Sequence, residues 1–134
     1  MNPESVYQTT TVRSFDETRK RLEEKAGLEG FRVLKVHDLK AALAEKGFPI
    51  EPASVVEVCN AGLASEALKL DPLAALLMPC RVVVQERNGE VFLSAILPES
   101  MVEGEALKSL ARQAGTKLVS LIDTAASLPS CCRI

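Results

Sequence analysis

Apolar and polar side chains alternate along this chain with two different periods, and the switches between them divide it into elements. Gln8-Thr9-Thr10-Thr11-Val12 is rich in β-branched residues, whose restricted χ1 suits an extended strand. Ser14 to Glu17 has the spacing of a capping box, in which the serine hydroxyl accepts from the Glu17 amide and the glutamate reaches back. A helix is predicted from that point, with Phe15, Leu22 and Ala26 at helical spacing and Gly27 and Gly30 able to end it. Phe31 to Val36 is again a strand, with Leu34 and Val36 assigned to the core face and Val33, Lys35 and His37 to the other. Asp38 is placed as the N-cap of a short helix, Leu39 to Lys46, that stops at Gly47. The prolines of Phe48-Pro49-Ile50-Glu51-Pro52 make the next stretch a connector.

Ser54 to Asn60 alternates as a third strand, with Val56, Val58 and Asn60 on one face and Val55, Glu57 and Cys59 on the other. A short helical segment through Ala64, Ala67 and Leu68 follows, and Asp71-Pro72 restarts a helical turn that Pro79 ends. Val82-Val83-Val84 is apolar on both faces, the mark of a central strand. Asn88-Gly89 suits the two positive-φ positions of a type I′ turn, so Val91 to Leu97 returns as the hairpin partner. After Pro98, apolar steps of three and four from Leu107 to Ala125 predict a helix from about Gly104 to Leu128, roughly 36 Å long. Ala111, Ala114 and Gly115 thin the middle of its apolar stripe, which predicts close approach of a neighbour, and Gly115 is a candidate kink. The order β-α-β-α-β-α-β-β-α gives a two-layer α+β domain: a mixed, mainly antiparallel sheet of about five strands packed with helices, and a long C-terminal helix. Residues 1–134 read as a single domain with a flexible tail from about 129 to 134.

Composition narrows the function more than the fold. A chain of 134 residues suffices for one sizeable core. With 16 basic and 18 acidic residues the formal charge is −2, and no run of five or six like charges occurs. Four Phe, one Tyr and no Trp provide no stacking platform, so neither route to nucleic-acid binding is evident. The N-terminal residues lack a basic-then-apolar pattern, and no apolar run approaches the ~18 residues that a membrane helix requires. A soluble cytoplasmic protein without nucleic-acid or membrane partners is expected, with its four cysteines reduced.

Cys59-Asn60, Ala64, Ala67-Leu68, Asp71-Pro72, Leu77-Met78-Pro79-Cys80 and the valine-rich strand ending in Gln85-Glu86 resemble the signature of the domain-of-unknown-function 302 family of small prokaryotic proteins. Thr11-Val12, Ser14-Phe15-Asp16-Glu17-Thr18 and the Gly30-Phe31, Val33-Leu34 strand resemble that family too, so the similarity extends over nearly the whole chain. The resemblance implies a compact α+β fold and brings no established activity. The ending Pro129-Ser130-Cys131-Cys132-Arg133-Ile134 departs from the family pattern.

The chemistry-bearing residues are few. Cys59 and Cys80 read either as a thiol pair or soft metal ligands, or as small buried apolar residues. Neither has a second Cys or His two to four residues away, so the spacing is not that of a zinc site. Cys59 precedes a short helix whose amides can face it, which makes it the better nucleophile candidate. Alternation sends Cys59 with Glu57 but Cys80 with Val82 and Val84, so the two thiols need not meet. Asn60 either caps the following helix, accepting from Leu63, or binds a ligand through its amide. His37, the one histidine, shares a face with Glu57 and Cys59 if their strands are neighbours, giving an acid–base–thiol grouping; read alone it is a solvated strand-end residue. Arg81 and Arg87 share a face of the fourth strand and suit an anion or surface carboxylates. Cys131-Cys132 reads as exposed thiols or a redox or metal-capturing pair.

No Gly-rich phosphate loop, Ser–His–Asp set or His/carboxylate cluster of metal spacing is present in the sequence. These features favour a non-catalytic ligand- or partner-binding accessory domain over an enzyme. Its site is expected near Cys59-Asn60 and Met78-Pro79-Cys80, with Cys59, Asn60, Cys80, His37, Glu57 and Arg81 as the ligand-binding set, no metal, any cofactor unknown, a small-molecule ligand and a homodimeric state. The alternative is a thiol-dependent redox or sulfur-transfer protein with Cys59 as catalytic nucleophile and Cys80 as resolving or supporting thiol.

Overall fold

Five strands form where β-branched residues alternate: β1 (Val6–Thr11), β2 (Arg32–Asp38), β3 (Ala53–Cys59), β4 (Cys80–Arg87) and β5 (Glu90–Ile96). The structure, a computed structural model, describes residues 1–128; the expected tail and its Cys131 and Cys132 lie outside the described residues. The strands make one sheet in the order β1-β5-β4-β3-β2. All four neighbouring pairs are antiparallel, so the sheet expected to be mainly antiparallel is so throughout. The connecting helices α2 (Leu39–Ala44) and α3 (Ala61–Leu70) join neighbouring antiparallel strands, acting as expanded hairpin connections rather than crossovers. Asn88 and Gly89 turn the β4–β5 hairpin with φ of 53° and 81°, the two positive values that a type I′ turn requires.

One face of the sheet is covered. Val56, Val58, Val82, Val84 and Leu93 have no exposed surface. Helices α1 (Phe15–Lys25) and α4 (Glu105–Ala126) lay Leu22, Leu118, Leu121 and Ile122 over them, also fully buried. Each side chain of this kind contributes roughly 1.5–3 kcal/mol on burial. The opposite face, with Glu57, Arg81, Val83, Gln85, Phe92 and Ser94, is partly or wholly exposed.

α4 runs without interruption through Gly115 and ends at Ala126, short of the predicted Leu128. Its last carbonyls are taken by other elements in place of a C-terminal glycine. Thr11 Oγ1 donates to Ala126 O at 2.9 Å, Arg21 to Thr124 O at 2.8 Å and Ala125 O at 3.3 Å, and Arg13 Nε to Ser127 O at 2.7 Å. Tyr7 also ties β1 to the helix through its hydroxyl, which donates to the Asp123 carboxylate. At the start of α1, Ser14 Oγ accepts from the Glu17 amide at 3.2 Å as expected. The reciprocal half of the capping box gives way to an ion pair between Glu17 and Arg13.

β2 departs from the alternation assigned to it. Between Val33 and Lys35 the register against β3 slips by one residue, which leaves Leu34 without a partner. Val33 and Val36 both pack on the core while Leu34 is 51% exposed, so Val33 takes the place expected of Leu34. Lys35 and His37 follow the bulge and keep their assigned face. β3 stops at Cys59, which makes Asn60 a helix cap instead of a strand residue.

Leu118→Ala is expected to lower stability by about 2–5 kcal/mol in urea denaturation, because the neighbouring strands and α1 cannot fill the space. Leu34→Ala should stay within about 0.5 kcal/mol of the parent. A comparable loss at Leu34 would show that it belongs to the core.

Candidate functional site

The candidate residues cluster where β3 gives way to α3 and where the chain returns into β4. Asn60 sits at the first of these points with extended backbone, and its Oδ1 accepts from the Leu63 amide at 3.1 Å. Its Nδ2 reaches the Glu29 carbonyl at 3.5 Å, across the turn at Gly30. Gly30 has φ of +76°, and a Cβ there would stand 3.0 Å from Asn60 Nδ2. One amide side chain therefore caps α3 and packs on the turn that launches β2, the structural role the sequence allowed for it.

α3 ends at Asp71, whose carboxylate accepts from the Leu73 amide at 2.9 Å and opens a tight helical turn over Pro72–Leu77. Met78 and Pro79, joined by a cis peptide, lead into Cys80. Cys80 is the register partner of Val58, so Cys59 and Cys80 lie one residue out of register at the ends of adjacent strands. Regular alternation would put them on opposite faces. Cys59 pairs with exposed Arg32 on β2 while Cys80 shares the covered face with Val58, and both residues border one cavity at the strand ends.

This cavity is partly open, measures about 80 Å³, and lies between the β3–β4 ends, α3 and the N-terminal half of α4. Phe31 and Val58 form its base, Leu63, Ala64 and Ala67 its α3 wall, and Leu107, Leu110, Ala111 and Ala114 its α4 wall. Leu77, Met78 and Pro79 complete it beside Cys59 and Cys80, and no charged residue borders it. Its volume is well below the roughly 300–1,000 Å³ of pockets that take drug-sized ligands, so an occupant is an ion or a molecule of a few heavy atoms.

Burial pushes the Cys80 thiol above its ordinary pKa; the neighbouring Cys59 adds to the rise, and Arg81 acts in the opposite direction. Both cysteines are free thiols. Among the described residues no three His, Cys, Asp or Glu side chains are grouped to hold a metal ion.

The other three residues of the expected set lie apart from the cavity. His37 and Glu57 are neighbours across β2 and β3, with Nε2 3.3 Å from Oε1, on the sheet face away from the helices. Arg81 stands opposite Glu57 across β3 and β4, on the same face. The set thus divides into a cavity group, Cys59, Asn60 and Cys80, and a charged row, His37, Glu57 and Arg81. The Met78-Pro79-Cys80 segment borders the cavity as the sequence reading placed it, while the contribution of α4 was missed. The thin stripe at Ala111 and Ala114 was the available signal, and it marks space as well as close packing.

The molecule is a two-layer α+β domain whose antiparallel sheet is covered on one face and whose strand ends border a small apolar cavity. Residues 7–125 match the family described as Domain of unknown function DUF302, and the chain belongs to that family. It is similar to a solved structure, an uncharacterized conserved DUF302 protein from Bacillus stearothermophilus, at a TM-score of 0.86 and 30% identity. The match covers 90% of this chain and 98% of that one. No curated protein matches the chain. Among the described residues no helix is long and apolar enough to cross a membrane.

Asn60→Ala should cost about 1–2 kcal/mol, from the lost cap and the lost contact at Gly30. Gly30→Ala should also destabilise, and the two losses should be less than additive in the double variant, since removing the Asn60 amide relieves the clash with the new Cβ. Strict additivity in urea denaturation would show that the two positions are not coupled.

The Cys80 thiol sets a pH dependence of known sign. Its folded pKa is raised, so the unfolded chain ionises first, near ~8.5. The contribution of the neutral buried thiol is complete below that pH and is lost as pH climbs towards the folded value. Under reducing conditions the urea midpoint should fall from pH 8 to pH 10 more steeply in the parent than in Cys80→Ala; parallel profiles would contradict the buried-thiol assignment.

Proposed function

We propose that this DUF302 domain is a non-catalytic binding protein that holds a small ligand in the cavity bounded by Cys59-Asn60 and Met78-Pro79-Cys80. The observation that carries this reading is the lining: apolar walls bordered by Cys59, Met78 and Cys80, with no charged residue among them. A nucleophilic thiol needs a base to take its proton, and the His37–Glu57 pair lies on the far face of the sheet. The one amide at the cavity, Asn60, is engaged with Leu63 and Glu29. Among the described residues no buried side-chain nitrogen or oxygen lacks a partner, so no polar group waits for a hydrogen-bonding ligand. Recognition therefore rests on size and apolar contact. The nearness of Cys59 and Cys80 at the ends of adjacent strands favours a second reading, a thiol-dependent redox or sulfur-transfer protein using Cys59.

Native mass spectrometry of the protein purified from its own cells tests the binding reading. A bound mass is expected in the parent and should be lost in Ala114→Leu, which fills the α4 wall of the cavity. Equal retention by Ala114→Leu would place the ligand elsewhere. A mass corresponding to a persulfide or to a Cys59–Cys80 disulfide would favour the redox reading instead.

A further inference from the structure

We infer that the free edge of β1 is a dimer interface, on which the β1 strand of a second copy of this chain pairs antiparallel about Thr9. The interface shares no residue with the cavity, so it stands or falls apart from the ligand.

The two outer edges of the sheet are unlike. β2, at one end of the strand order, carries Arg32, Lys35 and Asp38 and a bulge at Leu34. Charges and bulges are the devices that keep an edge from pairing with another chain. β1, at the other end, reads Val6-Tyr7-Gln8-Thr9-Thr10-Thr11, with no charge, no proline and no break in its register against β5. An edge of that kind is a template for a further strand.

The register identifies the groups that β1 offers. The Leu97 amide donates to the Ser5 carbonyl at 2.7 Å, which extends the β1–β5 pairing by one rung. Bonded and non-bonded rungs alternate in an antiparallel pair, so Tyr7, Thr9 and Thr11 turn their backbone groups towards β5, while Val6, Gln8 and Thr10 turn theirs outward. The Val6 amide fits this pattern, being taken by the Pro3 carbonyl on the outer side. That leaves the amides and carbonyls of Gln8 and Thr10, which bond to no other element among the described residues. Both residues are exposed.

A second β1 is complementary to that set. Pairing about Thr9 sets Gln8 opposite the partner's Thr10, so each free amide on either copy meets a free carbonyl on the other. It also places Val12, 73% exposed, opposite the partner's Val6, and Thr9 beside the partner's Thr9 as a β-branched cross-strand pair. Pairing about Gln8 would instead direct a Thr10 carbonyl at the Val6 amide, which is already engaged. Because β1 carries no charge, no like charges meet. The arrangement is isologous and closed: each copy uses its β1 edge, and both edges that remain are β2, blunted by its charges and its bulge.

Sedimentation velocity of the full chain under reducing conditions should give twice the monomer mass. Amide exchange followed by NMR locates the contact: Gln8 and Thr10 should exchange at least about 10-fold more slowly in the dimer than after dilution, while Thr9, bonded to β5, is protected in both states. Thr10→Pro removes an outward donor and leaves the β5 ladder whole, since an edge tolerates proline whose nitrogen faces away from the sheet, and it should give a folded monomer. Gln8→Lys combined with Thr10→Lys sets like charges across the pair and should also give a monomer. Mixing that variant with a chain carrying Gln8→Glu and Thr10→Glu should restore the dimer. A monomeric parent, a dimer that survives the paired lysine substitutions, or a dimer whose Gln8 and Thr10 amides exchange as fast as unprotected ones would each overturn the proposal. The exchange measurement uses the parent chain alone, so it decides even where a variant does not fold.

Discussion

α4 has to cover most of a five-stranded sheet, and it does so with two unlike halves. Towards its C-terminus Leu118, Leu121, Ile122 and Ala125 are fully buried and meet Leu22 and Ala26 of the α1 region. Towards its N-terminus Ala111 and Ala114 face Ala64 and Ala67 of α3, and small residues on both walls leave the gap that is the cavity. The helix cannot simply tilt to close that gap, because its far end is held by Thr11, Arg13 and Arg21 through the carbonyls of its last turn. At roughly 24 cal/mol per Å³, an empty apolar space of about 80 Å³ forgoes at most about 2 kcal/mol. Larger side chains at Ala111 or Ala114 would recover part of it.

The second constraint is the junction at Asn60. A single side chain serves the first turn of α3 and the Gly30 turn ahead of β2, so the direction in which α3 leaves the sheet is tied to where β2 begins. That direction determines how far Ala64 and Ala67 stand from α4. Asn60 shapes the cavity through the backbone it fixes, with its own amide already occupied.

Much of this architecture is legible in the chain itself, because its signals are local. Asn88-Gly89, the caps at Ser14, Asp38 and Asn60, and the long apolar stripe of α4 each depend on a few neighbouring residues, and each forms as read. What escapes the sequence depends on partners distant along the chain. The bulge at Leu34 is a slip against β3, and a period-two pattern carries no mark of it. The end of α4 is set by Arg13 and Arg21, whose role there is invisible without the packing of α1. Alternation separates Cys59 from Cys80, and the register agrees: Cys59 pairs with exposed Arg32 and Cys80 with buried Val58, although both residues border the same cavity.

The sheet also separates two chemistries that the sequence offered as one. Lys35, Glu57 and Arg81 stand opposite one another across β2, β3 and β4, with His37 close to Glu57, and such cross-strand charges contribute roughly 0.2–1 kcal/mol per pair. That row has a sufficient explanation in stabilising a solvated face. Cys80 sits at the rim of the covered face, where burial raises its thiol pKa. A proton held this way opposes nucleophilic attack and coordination alike, since both use the thiolate. Cys59 takes the register of exposed Arg32, on the face that carries Glu57. The sheet therefore stands between the His37–Glu57 pair and the buried Cys80 thiol, and the acid–base–thiol grouping that the sequence offered cannot include Cys80.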